Sequence, residues 1–193
     1  MPTREPLYST THQTPVGELT LIASDRGLRA ILWPKTSPAR AGISGRPRHN
    51  PDHPILQRTA AQLDEYFAGR RTRFEIPLDL RGTRFQLEAW RSLDDIPFGE
   101  TTSYGEQAKA LGVPNAARAV GAANGANPVC IVLPCHRVIG ADGSLTGFGG
   151  GLAVKRWLLD HEARVGRTGE EVRTIGGWPS RQPVQRRLSM PVA

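Results

Sequence analysis

Apolar and polar positions alternate with a period of two along residues 7–33, LYSTTHQTPVGELTLIASDRGLRAILW, where Leu19 and Leu21 are interleaved with Glu18 and Thr20. A strand with one face in a core and one in water has that pattern. Pro15-Val16-Gly17 and Asp25-Arg26-Gly27 supply turn chemistry, so three strands in a meander are predicted. The period then changes. In ILQRTAAQLDEYFA, residues 55–68, Ile55, Leu56, Thr59, Ala60, Leu63, Tyr66 and Phe67 share one helical face, and Gly69 stops the helix. RFEIPLDL, residues 73–80, reads as a further strand, at an edge because Pro77 cannot donate to a ladder. Residues 34–54 hold five prolines and no apolar period, which predicts a mobile surface loop.

The second half is patterned for helices. Thr83 and Gln86 have capping-box spacing ahead of FQLEAWRSL, where Phe85, Ala89, Trp90 and Leu93 form a stripe, and Ser103 and Glu106 repeat the device before YGEQAKAL. That short helix, a turn at Gly112 and a second helix opening at Pro114-Asn115 outline a helix-turn-helix; two helices packed in an ordinary core are the alternative. The second helix, AARAVGAANGAN, is rich in alanine and glycine and carries one charge, Arg118. Such a surface approaches a partner closely but buries little apolar area, which suits a DNA groove or a tight helix contact alike. Val129 to Leu133 is an apolar, β-branched run, predicted as a short buried strand ended by Pro134.

These elements give an α/β chain of the α+β kind. Residues 1–81 are expected to form a small N-terminal sheet-and-helix domain, 82–165 a helical C-terminal domain, and 166–193 a basic, disordered tail. With 193 residues the chain can bury a core without disulfides. Cys130 and Cys135 are read as free thiols, since the loop between them is too short and too extended for easy bridge geometry; a reducing cytoplasm fits them. No apolar run approaches the roughly 20 residues of a membrane span, so no membrane partner is expected. The net charge of +7 favours a polyanionic partner, and residues from Ala163 onward supply four of those charges.

The candidate chemistry lies at Cys135-His136. Zinc needs about four ligands, or three and a water, and only His161 is near the pair in sequence, so no metal is expected. A nucleophilic thiolate needs a base and a group that orients the base; His136 with Glu162 or Asp160 could supply them. Neighbouring side chains on an extended chain point apart, so spacing alone leaves an inert buried pair equally open. Cys130, inside the apolar run, reads as a small buried hydrophobe.

PCHRVIG, preceded by GANP and followed by GSLTGFGGGLAVKRWLLDHE, resembles the signature of the methylated-DNA–protein-cysteine methyltransferases, which repair O(6)-methylguanine. The likeness runs from Thr83 to Glu162, through IPFGETTSYGEQAKALG and ARAVGAANGANP, and TPVGELTLIAS resembles the family's N-terminal domain. It implies a ribonuclease-H-like N-terminal domain and a winged-helix-like C-terminal one. It also implies a protein that is consumed in one turnover, uses no cofactor, and works on double-stranded DNA as a monomer or cooperatively. Its substrate would be O(6)-alkylguanine, with O(4)-methylthymine a further possibility.

By that resemblance Cys135 accepts the alkyl group, His136 generates the thiolate through a water, and Glu162 orients His136. Tyr104 protonates the departing guanine, and Asn127 ties the helix-turn-helix to the active-site strand. Val138 and Gly149 meet the guanine through their backbones, and Lys155 lies near the pocket. Arg118 fills the gap left by the flipped nucleotide, while Ala117 and Gly121 face the minor groove. The chain departs from some relatives in having Phe148 and Gly149 where they have tyrosine and serine, and Cys130 where they have proline. It lacks the N-terminal zinc cysteines of some members. A nonreactive lesion binder, a thiol hydrolase and a sequence-reading transcription factor are competing classes. Cys135 opposes the first, Arg118 and its small-residue helix the second, and the lack of side chains able to read base edges the third.

Overall fold

The structure is a computed structural model and describes residues 5–169. The alternation of the first 33 residues becomes three antiparallel strands, β1 (Tyr8–Thr14), β2 (Gly17–Ser24) and β3 (Gly27–Leu32). Thr14 faces Gly17 across the first turn, and a bulge between Ile22 and Ala23 shifts the register of β2 against β3. Leu19, Leu21 and Ala23 point into the main core, where they meet Leu56, Leu63 and Tyr66 of α1 (Pro54–Phe67).

The opposite face of the sheet explains the first departure from expectation. Residues 34–54 are not a structureless loop. Ile22, Ala30 and Leu32 would lie bare on that face, and Ile43, 4% exposed, covers them. Arg48–His49 then adds a short strand, β4, parallel to β1, so the order is β3-β2-β1-β4. A single isoleucine among prolines has no periodicity, yet it buries apolar area as well as any patterned residue.

The segment 73–80 is likewise not a full strand. It touches β3 through one bridge, Leu28 to Leu78, in which Leu28 N donates to Pro77 O at 2.7 Å and Asp79 N to Leu28 O at 2.9 Å. Asp79 fixes the crossing by accepting from Ser24 Oγ at 2.9 Å and from Arg29 at 3.0 Å. The crossing also requires Gly27, because a Cβ there would lie 2.6 Å from the Pro77 carbonyl oxygen.

In the second half, α2 (Arg84–Ser92) opens with the expected reciprocal box of Thr83 and Gln86. Ser103 caps α3 (Tyr104–Ala110), but Glu106 pairs with Lys109 instead of reaching back, so only half of that second device forms. α4 (Ala117–Gly125) buries Val120, Ala123 and Asn124. Polar groups stitch the three helices together: Trp90 Nε1 donates to Ala123 O at 2.7 Å, and Asn124 Nδ2 donates to Gln107 Oε1 at 2.7 Å. The strands β5 (Thr102–Ser103) and β6 (Val138–Ile139) pair in parallel beside them.

The predicted strand at 129–133 is a pair of turns. Leu133 N returns to Val129 O at 3.0 Å, and Ile131 takes a left-handed φ of 75°. A β-branched run favours a strand only where a neighbouring strand can pair with it, and here the chain pairs with itself, Cys130 against Leu133. The last helix, α5 (Leu152–Gly169), continues four residues into the stretch assigned to the tail. The rest of that assignment, residues 170–193, lies outside the described residues. No helix among the described residues is long and apolar enough to cross a membrane.

Candidate active site

Cys135 and His136 do not sit on an extended chain. They open a single 3₁₀ turn, Cys135–Arg137, that follows the double turn and leads into β6. Asn127, just beyond α4, holds the approach: its Nδ2 donates to Leu133 O at 2.8 Å and its Oδ1 accepts from Val129 N at 3.0 Å. The asparagine therefore fixes the chain direction into the turn by satisfying backbone groups that the missing strand leaves unpaired.

His136 is fully buried, and its Nε2 lies 2.7 Å from Glu162 Oε1 on α5. Glu162 is fully buried as well and accepts from three further residues. Tyr66 Oη donates to Oε1 at 2.8 Å, Arg137 donates from Nη2 to Oε1 at 3.0 Å and from Nε to Oε2 at 2.9 Å, and Gly99 N donates to Oε2 at 3.0 Å. Asp160, the other carboxylate considered, is not part of this cluster: its carbonyl accepts from Arg164 on the exposed side of α5.

These contacts set the protonation states. Burial alone would raise the Glu162 carboxyl, but the hydrogen bonds and charges of His136 and Arg137 hold it far below the carboxylate range. An ionised carboxylate can only accept, so Nε2 of His136 carries the proton and Nδ1 keeps its lone pair. That Nδ1 is buried and has no hydrogen-bond partner among the described residues. Burial pushes the imidazole below its ordinary value, and the charges of Arg137 and Lys155 push the same way against Glu162. Burial, with Arg137 offsetting part of the Glu162 charge, thus favours a neutral His136 with a free basic nitrogen.

Cys135 is 5% exposed, and its sulfur lies 3.8 Å from that of Cys130. A hydrogen bond from Cys130 holds the Cys135 thiol below its ordinary value against its burial, helped by the Asn127 side chain and the charge of Lys155. Cys130 moves the other way, well upward, through that hydrogen bond and burial. The pair thus has one thiol prone to ionise and one that stays protonated and donates.

A lysine and a tyrosine close the other side. Lys155 on α5 is fully buried; its Nζ donates to Val138 O at 2.6 Å and to Thr146 O at 2.8 Å, and approaches the Tyr104 hydroxyl at 3.5 Å. The Val138 carbonyl is thus already engaged by Lys155. Tyr104 also donates to Thr146 O at 3.3 Å. Its ring lies against Gly121 of α4, where an added Cβ would stand 3.7 Å away. Ala117 is half-buried at the start of that helix. Arg118 beside it is exposed and makes no hydrogen bond or ion pair with the described residues.

Three participants were invisible in the sequence reading. Tyr66 falls on the core face of α1, and Arg137 looks like any surface cation. Trp33 follows β3, yet its indole supports the active-site loop: Phe148 meets it edge-on at 5.5 Å, and a Cβ on Gly150 would lie 2.8 Å from it. Only glycine lets the backbone at 150 lie on that ring. A Cβ on Gly149 would be 3.4 Å from Trp33 Nε1 and 4.0 Å from Cys130 Sγ, so the loop covers the second thiol. Among the described residues no three His, Cys, Asp or Glu side chains converge as a metal site would need.

Comparison with known proteins places this geometry. The family model described as "6-O-methylguanine DNA methyltransferase, ribonuclease-like domain" matches residues 7–80, and "6-O-methylguanine DNA methyltransferase, DNA binding domain" matches residues 84–164. A methylated-DNA–protein-cysteine methyltransferase of Mycolicibacterium paratuberculosis is 50% identical over 156 residues, covering 80% of this chain and 91% of the relative. One from Methanosarcina acetivorans is 40% identical, covering 81% and 98%. Among solved structures, Mycobacterium tuberculosis OGT in complex with DNA superposes with a TM-score of 0.75 at 44% identity, over 82% of this chain and 94% of that one.

Proposed function

The chain belongs to the methylated-DNA–protein-cysteine methyltransferase family, and from that membership we infer that it repairs DNA by transferring the alkyl group of O(6)-alkylguanine to its own Cys135. The observation that carries the residue assignment is the unpartnered, buried Nδ1 of His136. It is a base left open, one residue along the chain from Cys135.

The proton of Cys135 passes through a water to Nδ1 of His136, and the imidazolium is stabilised by Glu162. The thiolate then attacks the alkyl carbon in line with the oxygen. The new S–C bond forms as the C–O bond breaks, and the electron pair moves into the guanine. Tyr104 donates the proton that neutralises the leaving base, and Lys155, near its oxygen, is placed to restore that proton. Carbonyls at Cys135 and Val138 and the backbone at Gly149 hold the base; with Phe148 and Gly149 in place of hydroxyl residues, backbone donors alone serve its oxygen. A thioether is no leaving group, so each molecule reacts once.

A duplex keeps the target carbon inside the stack, and extruding the nucleotide costs a few kcal/mol. α4 supplies the means. Its small outer residues, Ala117 and Gly121 among them, let the backbone approach the minor groove, and Arg118 is free to enter the vacated position. The chain acts on the chromosome as a cytoplasmic monomer, with cooperative binding along DNA as an added possibility of this mode.

Intact-protein mass spectrometry after incubation with a duplex bearing one O(6)-methylguanine tests this reading. One added methyl group, mapped to Cys135 and absent from Cys135→Ser, is the expected result. Tight lesion binding without a mass change would overturn it.

A further inference from the structure

The thiol at position 130 forms no bond to carbon in the displacement, yet it is placed against the reactive sulfur. The double turn over 129–133, with Leu133 N bonded to Val129 O and Ile131 held at a φ of 75°, doubles the chain back on itself. The result is a sulfur–sulfur distance of 3.8 Å between two free cysteines, against about 2.05 Å in a disulfide. The loop is therefore not extended, and the sequence argument against a bridge loses its premise. Cys130 also lines a small surface cleft with Trp33, Asn127, Pro128 and Gly149.

We propose that Cys130 is a resolving cysteine: on contact with a hydroperoxide it forms a reversible disulfide with Cys135, which closes the alkyl acceptor and spares it from irreversible oxidation. The Cys135 thiolate attacks one peroxide oxygen; the O–O bond breaks, a sulfenic acid forms, and the other oxygen leaves as alcohol or water. Cys130 sulfur then attacks the sulfenic sulfur, the S–O bond breaks, and the hydroxide departs as water with the Cys130 proton. Two thiols lose two electrons and one peroxide gains them. Without a neighbour, a sulfenic acid proceeds to sulfinic acid, which ordinary dithiols do not reverse. The division of roles follows the site: Cys135 ionises first, and Cys130 stays protonated until the attack.

The test is a thiol count on the full chain without DNA, so its outcome is independent of whether alkyl transfer occurs. Protein is treated with a small excess of hydrogen peroxide, quenched, denatured, and labelled with N-ethylmaleimide. Labelled thiols should fall from two to none, peptide 119–137, which holds both cysteines between Arg118 and Arg137, should lose two hydrogens, and dithiothreitol should restore both thiols. In Cys130→Ser, and in Cys130→Ala as a second variant, the same dose should convert Cys135 to sulfinic acid that dithiothreitol does not reverse. Sulfinic acid at Cys135 of the unsubstituted chain with Cys130 still labelled would overturn the proposal. So would a cross-linked dimer, or survival of both thiols at a dose that oxidises free cysteine. If neither variant folds, the count on the unsubstituted chain decides.

Discussion

Tyr66 Oη donates to Glu162 Oε1 at 2.8 Å, a hydrogen bond between residues 96 positions apart that joins the helix packed on the sheet to the carboxylate behind His136. The same oxygen accepts the hydrogen bond of His136 Nε2 at 2.7 Å, so the N-terminal half takes part in setting that carboxylate. Tyr66→Phe should destabilise the fold by about 1.5–3 kcal/mol, the range for a hydrogen bond to a charged group. With one donor fewer, the Glu162 charge falls more heavily on His136. The acid limb of the alkyl-transfer rate should then move to higher pH, a change that a merely structural tyrosine would not cause. Single-turnover rates across pH, beside a denaturant titration, read both effects.

Burial is the main cause of the lowered His136 pKa, and Arg137, by making Glu162 half of an ion pair, adds to it. Arg137→Met should let Glu162 hold His136 as imidazolium, so transfer at neutral pH should fall and recover partly as pH rises. The same substitution leaves a buried charge uncompensated and should cost about 3–5 kcal/mol of stability. A pH–rate profile in which the substituted chain is slow by the same factor at every pH would contradict the charge argument.

Acid should weaken this protein in two stages. His136 and Glu162 both have folded-state pKa values below their ordinary ones, so the unfolded chain binds more protons as pH falls. Stability contributed by each group is present above its unfolded pKa and is lost as pH drops through the folded value. The His136 contribution begins to fade below about pH 6.5 and that of Glu162 below about pH 4.3. Melting temperatures measured from pH 8 to pH 2 should fall throughout the lower part of that range. In Glu162→Gln the second stage should flatten.

Arg118 is exposed and without a partner among the described residues, so Arg118→Ala should change stability by less than about 0.5 kcal/mol. Its role falls on duplex substrate alone. The ratio of the rate on a methylated duplex to the rate on a free O(6)-alkylguanine base should drop by roughly tenfold, equivalent to about 1.4 kcal/mol. An unchanged ratio would remove Arg118 from the flipping step.

The local patterns were legible because their causes are local. Alternation gave the three strands, a helical stripe gave α1, and Thr83 with Gln86 gave the start of α2, each from side chains within a few residues of the backbone they organise. The motif around Cys135 pointed to the family for a related reason, since a contiguous run carries the nucleophile and its base. What only the tertiary structure decided depends on partners far along the chain. Ile43 orders residues 34–54 because the far face of the sheet needs cover, and no period announces that. The run at 129–133 turns because Asn127 satisfies its backbone where no strand adjoins it. Tyr66, Arg137 and Trp33 read as a core aromatic, a stray charge and a strand end until the fold brings them to Glu162 and the loop at 148–150. Burial and these contacts, which no residue carries alone, then shift the protonation of His136 and Glu162.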